Sequence, residues 1–272
     1  MKGIHSCGCV LACVVLAAPA HAADASAWSQ DTRAAIRLVA GSNTPAQAPL
    51  RAGIEVKLQP GWKTYWRYPG DSGVPPRFDF SGSDNLKSAT VLYPAPHLFS
   101  DEGGNSLGYK DVVIFPLLVA PMQAGKPVTL RLKVDYAVCE KLCVPAEGRA
   151  DLMLQPGSSS HDGELVSAEA RVPKPTSANA IGLRVKRLND APKPLIAVDL
   201  KADSPVEVFV EGPTPEWALP IPTPAQGAPA GKRQFNFELD GLPPGVDPKG
   251  HFELTFTVVT GERALEVKSH LD

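Results

Sequence analysis

Thr129-Leu130-Arg131-Leu132-Lys133-Val134-Asp135-Tyr136-Ala137-Val138-Cys139-Glu140-Lys141-Leu142-Cys143-Val144-Pro145 is the stretch on which the reading of this chain turns. Leu130, Leu132, Val134 and Tyr136 alternate with Arg131, Lys133 and Asp135, the period-2 pattern of a strand with one face buried. The strand runs into Cys139, and Val144-Pro145 restarts an extended segment, because the residue before a proline disfavours helix. Left extended, Cys139 and Cys143 would lie ~13 Å apart at ~3.3 Å per residue. A disulfide needs their Cα atoms within roughly 4.4–6.8 Å. If they are joined, Glu140-Lys141-Leu142 must fold into a tight turn or a bit of helix at the end of the strand.

The same pattern continues on either side. Ile54, Val56 and Leu58 alternate with Glu55 and Lys57, and Val112-Val113-Ile114-Phe115 reads as a strand buried on both faces. Turn clusters separate such runs at Pro60-Gly61, Pro69-Gly70-Asp71-Ser72-Gly73, Gly103-Gly104-Asn105 and Ala124-Gly125-Lys126-Pro127. Short strands at this spacing between Ile36 and Leu154 predict an antiparallel β-sandwich of immunoglobulin type. The composition changes from Pro156, with Pro156-Gly157-Ser158-Ser159-Ser160, a short helical stretch Glu164 to Arg171, and Pro173-Lys174-Pro175. From Ile181 the β signal returns in about six short runs, among them Val206-Glu207-Val208-Phe209-Val210 and Leu254-Thr255-Phe256. The expected organisation is all-β: a leader over 1–22, an immunoglobulin-like domain over 23–157, a linker over 158–179, and a second, smaller β-sandwich over 180–272.

Among 272 residues, 28 are proline and 23 glycine, together below the share typical of low-complexity disorder, while 43% hydrophobic residues suffice for cores. The formal charge of −2 gives no electrostatic footprint for nucleic acid or anionic lipid, and neither is expected as a partner. Lys2, the apolar run Val10 to Ala20 and Ala20-His21-Ala22 have the layout of a cleaved secretory signal. The run is too short to span a bilayer, which takes ~20 residues, and no later segment replaces it. The expected location is therefore an exported, oxidising one, the periplasm, with no membrane span after cleavage.

Cleavage after Ala22 removes Cys7, Cys9 and Cys13 and leaves only Cys139 and Cys143. In an oxidising compartment such a pair is expected to join. As a staple it would do little: closing five residues is worth ~2 kcal/mol by chain entropy, against ~4.7 for a loop of 100. Short, turn-constrained cystines are also where exchange becomes accessible. Three uses stay open at this level. The pair could exchange electrons, it could merely shape a binding loop, or in reduced form it could hold Cu(I) together with Met153, given the preference of that ion for soft sulfur. The mature histidines His97, His161, His251 and His270 have no ligand spacing, so no resident metal or cofactor is expected.

Gly61-Trp62-Lys63-Thr64-Tyr65-Trp66-Arg67-Tyr68-Pro69-Gly70-Asp71-Ser72-Gly73-Val74-Pro75-Pro76 and Asp135-Tyr136-Ala137-Val138-Cys139-Glu140-Lys141-Leu142-Cys143-Val144-Pro145 resemble the DsbD N-terminal domain family, with the nearest likeness to the exported N-terminal region of ScsB-type proteins. The resemblance covers roughly residues 30–155. It implies a periplasmic immunoglobulin-like domain that passes electrons to oxidised thiol proteins. The electrons would come from the thioredoxin-like domain of a membrane electron transporter. It also implies that Cys143 attacks partners and Cys139 resolves the mixed disulfide, the work of a protein-disulfide reductase component.

Family members shield the pair with a cap loop bearing an acidic doublet followed by phenylalanine. Here Asp101-Glu102 matches the doublet, Gly103 stands where the aromatic is expected, and Phe99 could shield from the other side. The three-residue spacing of the cysteines is shorter than in the best-known members. With neither membrane helices nor a thioredoxin-like domain in these residues, the protein is expected to act as a detached module. Tyr65, Trp66 and Tyr68 are candidate partner-docking residues, since Trp and Tyr join a large apolar face to a polar tip; the alternative is that they pack the core and line its edge.

Overall fold

The structure is a computed structural model and describes residues 23–44, 49–101 and 104–271. The leader over 1–22, with Cys7, Cys9 and Cys13, lies outside the described residues, as do Glu102 and Gly103. The first part of the chain forms β1 (Ser29–Gln30), β2 (Ala34–Ala40), β3 (Leu50–Leu58), β4 (Lys63–Gly70), β5 (Arg77–Asp79) and β6 (Leu86–Val91). It continues with β7 (His97–Asp101), β8 (Gly104–Lys110), β9 (Val112–Pro121), β10 (Val128–Cys139) and β11 (Cys143–Leu154). Two antiparallel sheets result, one ordered β1-β2-β3-β9-β6 and the other β11-β10-β4-β8-β7, with β5 paired to β10. This is the immunoglobulin-like β-sandwich that the alternation predicted. Ile36, Leu38, Ile54 and Phe115 of one sheet meet Leu107, Leu130, Leu132 and Leu152 of the other in a single core.

The helix α1 (Asp162–Ala170) follows, close to the helical stretch anticipated from Glu164. Its Leu165 is fully buried against Gly53, where a Cβ would stand 3.1 Å from Leu165 Cδ1. The Arg51 guanidinium donates to Asp162 at 2.8 Å and to Glu169 at 2.9 Å. Segment 158–179 thus carries a helix docked on the first sandwich, followed by a strand of the second.

That second part comprises β12 (Lys174–Thr176), α2 (Ala178–Ile181), β13 (Arg184–Arg187), β14 (Leu195–Lys201), β15 (Glu207–Glu211), β16 (Thr223–Pro224), β17 (Lys232–Glu238), β18 (Phe252–Thr260) and β19 (Arg263–Leu271). They form two four-stranded sheets, β12-β19-β18-β15 and β13-β14-β17-β16, over a core that includes Val198, Phe235, Leu254 and Phe256. Phe209, Ile221, Val259 and Ala264 of this half belong to the core cluster of the first. Among the described residues no helix is long and apolar enough to cross a membrane.

Candidate functional site: a hairpin cystine under a tyrosine

β10 and β11 pair without interruption from Val128↔Leu154 to Cys139↔Cys143, so the cysteines face each other across the closed end of the hairpin. Their Cα atoms are 4.1 Å apart and the sulfurs are bonded. Glu140, Lys141 and Leu142 form the three-residue turn, with Leu142 79% exposed at its tip. The two sulfurs differ in access: Cys139 is 2% exposed and Cys143 is exposed.

The cysteines lie on the outer face of their sheet, away from the main core, where Cys139 clusters with Ala137 and Tyr65. β10 meets β4 at the bridge Cys139↔Lys63, and Thr64 fastens the same strands by donating its hydroxyl to Ala137 O at 2.9 Å. Residues two apart on a strand share a face, so Lys63 and Tyr65 both stand beside the cystine. The Tyr65 hydroxyl donates to Cys139 Sγ at 2.7 Å and lies 3.1 Å from Cys143 Sγ. Burial, seconded by the Asp101 carboxylate, pushes the Tyr65 hydroxyl above the usual phenol range. It therefore stays protonated and able to donate. Gly73 (φ +135°) lies flat on the Tyr65 ring: a Cβ there would stand 2.4 Å from Cε1.

Beyond β4 the sheet continues through β8 to β7, with Phe99 paired to Ser106. The Lys63 ammonium gathers these strands, donating to Asp101 Oδ2 at 2.5 Å and to Ser106 Oγ at 3.0 Å, and lying 5.5 Å from the Phe99 ring centroid. Phe99 is half-buried and Leu98 beside it is exposed. Of the anticipated cap loop, the described part is Phe99 and Asp101, both brought to Lys63; Glu102 and Gly103 fall outside the described residues.

The aromatic run is placed differently from a docking surface. Trp66 is 0%, Tyr65 1% and Tyr68 9% exposed, so the partner-docking expectation for Tyr65, Trp66 and Tyr68 is corrected: none offers its face to solvent. Trp66 meets Phe209 with ring centroids 6.1 Å apart, and the Tyr68 hydroxyl donates to Leu219 O. Met153 is also removed as a copper ligand. It lies ten residues along β11 from Cys143, about 33 Å at ~3.3 Å per residue. Among the described residues no group of three His, Cys, Asp or Glu stands together as a metal site. Sequence reasoning did not single out Lys63 or Gly73. Their positions two before and eight after Tyr65 became meaningful only with the pairing of β4 and the return of the following loop.

A β-sandwich with a half-accessible cystine at a hairpin end offers one sulfur to an attacking thiolate and buries the other, the arrangement that thiol–disulfide exchange requires. Residues 31–155 match the family model described as thiol:disulfide interchange protein DsbD, N-terminal. A similar solved structure is the N-terminal periplasmic domain of ScsB from Proteus mirabilis. It aligns with a TM-score of 0.71 over 91% of this chain and 98% of that one, at 20% identity, a likeness of fold that extends through both sandwiches. No curated protein matches this chain significantly.

Proposed function

We propose that the protein is a periplasmic relay of reducing equivalents working through Cys139 and Cys143. The donor would be a thioredoxin-like domain of a membrane electron transporter, and the acceptors oxidised thiol proteins. The observation that carries this reading is the asymmetry of the pair: Cys143 is exposed, while Cys139 is buried beneath the Tyr65 hydroxyl. The leader-like residues 1–22 and the periplasmic character of the Proteus mirabilis domain support the location.

The exposed sulfur is the one that a thiolate can approach in line. A donor thiolate attacks Cys143 Sγ and forms a mixed disulfide. The Cys139–Cys143 bond breaks, and its electron pair leaves on Cys139 Sγ, where the Tyr65 hydroxyl donates to the new thiolate. The donor's second thiolate then attacks its own sulfur of the mixed disulfide and releases Cys143. Two electrons have entered, and two protons from solvent complete the dithiol. In the delivery step the Cys143 thiolate attacks a partner disulfide and expels one partner sulfur. Cys139 then attacks Cys143 Sγ, expels the second, and restores the cystine.

The test is trapping. Cys139→Ala, exposed to oxidised periplasmic proteins, is expected to accumulate mixed disulfides through Cys143, while Cys143→Ala accumulates none. Equal trapping by the two variants would defeat the assignment of roles. A potential below about −300 mV, the range of inert structural cystines, would defeat the relay itself.

A further inference from the structure

Lys63 is placed where a lysine on a solvent-facing strand position would not ordinarily be. Its side chain is 13% exposed, and it is the residue of β4 that pairs directly with Cys139. Residues directly opposed across antiparallel strands have Cβ atoms ~4.5–5.5 Å apart on one face, and a four-carbon stem lets the ammonium swing over that distance and more. In the disulfide form the ammonium is turned the other way, onto Asp101 Oδ2 at 2.5 Å and Ser106 Oγ at 3.0 Å. The Asp101 carboxylate is also near enough to Tyr65 to help raise its hydroxyl. One carboxylate on β7, one cation and one phenol on β4, and two sulfurs at the facing ends of β10 and β11 therefore stand together on one side of the sheet.

We propose that Lys63 is the cation that stabilises the thiolate released at the cysteine pair, and that Asp101 sets how much of that charge the sulfur receives. The proposal rests on the exchange role given above. With the cystine intact the sulfurs carry no charge, and Lys63 belongs to Asp101. Once the S–S bond has been broken by a thiol donor, an anion appears on Cys139 beside the Lys63 stem, and carboxylate and thiolate compete for one ammonium. A nearby cation favours the thiolate and lowers its pKa. The competing carboxylate holds that effect in check. Lys63 is thus a positioning residue for charge, acting on the sulfurs and through Tyr65, which donates to the same atom. The other charges on the surrounding elements, Glu140 and Lys141 of the turn and Lys110 opposite Lys63 on β8, remain in place in the variants below.

The experiment is a titration of the thiolate absorbance in the isolated protein, kept reduced by a phosphine. Its outcome does not depend on which partner exchanges with the pair, so it can fail while trapping succeeds, and the reverse. The two thiols titrate as a coupled pair, and the first step is the one to follow. Lys63→Met is expected to raise that step by about one unit, an about tenfold smaller thiolate fraction below the midpoint. Asp101→Asn is expected to move it the opposite way, and Lys63→Arg to keep it near the parent value. A lysine that merely fastened β7 to β4 would behave otherwise, because losing either partner would loosen the same contact and shift both variants alike. Shifts of the same sign, or an unmoved Lys63→Met, would overturn the proposal. Asp101 is half-exposed, so Asp101→Asn keeps the test readable even where Lys63→Met perturbs the fold.

Discussion

The guanidinium of Arg67 and the carboxylate of Glu211 are paired side by side, Nε to Oε2 at 2.9 Å and Nη2 to Oε1 at 2.7 Å. Arg67 lies on β4, two residues after Tyr65, and Glu211 ends β15 of the second sandwich. The same Nη2 also donates to Glu266 Oε2 at 2.6 Å, and the guanidinium carbon stands 4.7 Å from the Trp66 ring centroid. The two carboxylates hold the Arg67 proton more firmly than in water, against the opposing effect of burial. The strand that carries the tyrosine of the site is therefore tied directly to the other half of the chain.

Arg67→Ala leaves two half-buried carboxylates facing each other with no cation between them. The expected cost is about 1–3 kcal/mol, between the worth of a surface pair and that of a buried one. It is to be read as a lower urea midpoint in tryptophan fluorescence. Arg67→Lys should recover only part, since an ammonium cannot reproduce the bidentate pairing. An unchanged midpoint for Arg67→Ala would show that the pair contributes nothing.

Tyr65→Phe keeps the ring under Gly73 and removes the hydroxyl from the sulfurs. Fold stability should change little, because the disulfide sulfurs are weak acceptors. Reduction by a dithiol should slow by about tenfold, equivalent to roughly 1.4 kcal/mol of lost stabilisation of the departing Cys139 thiolate. Stopped-flow reduction at fixed dithiol concentration measures this, and parental kinetics would remove Tyr65 from the mechanism.

Gly73→Ala places a methyl group where the Tyr65 ring already is, at a φ of +135° that a side chain rarely adopts. The clash and the backbone strain together predict a loss of about 2–4 kcal/mol in unfolding experiments, accompanied by faster alkylation of Cys139 after reduction. Loss of stability without increased access would mean that the loop braces the sheet but does not cover the site.

The docking of α1 should depend on acidity. The Ser42 amide at 2.9 Å and then Arg51 hold the Asp162 carboxyl below the usual carboxylate range. A depressed folded pKa gives stability that is complete above the ordinary value near 3.8 and is lost as pH falls through the folded value. Amide exchange in α1 should therefore accelerate from about pH 4 downward before the sandwich cores open. Asp162→Asn should abolish that dependence. Persistence of the acid step in this variant would place its origin elsewhere.

Much of this was legible in the sequence, and the exceptions have physical causes. The alternation from Leu130 to Tyr136 fixed a strand, and the approach of Val144-Pro145 to Cys143 fixed a turn, because both depend on neighbours in the chain. The orientation of the aromatic run was not legible. Period two says that Tyr65 and Trp66 point oppositely, but not that a glycine loop folds over one and Phe209 covers the other. Lys63 looks in sequence like any solvated lysine. Its character comes from a strand 38 residues later that carries Asp101, and such pairings leave no local mark.

Phe209, Ile221, Val259 and Ala264 were described as members of the first sandwich's core. A boundary drawn between the halves would cut through shared hydrophobic packing, so the first sandwich's core is not complete without its neighbour. Heat or denaturant should accordingly melt the protein in one cooperative step. A lesion deep in the cysteine-free half would then be felt at the sulfurs as loss of the whole, so the redox chemistry depends on a partner sandwich that contributes no reactive atom to it.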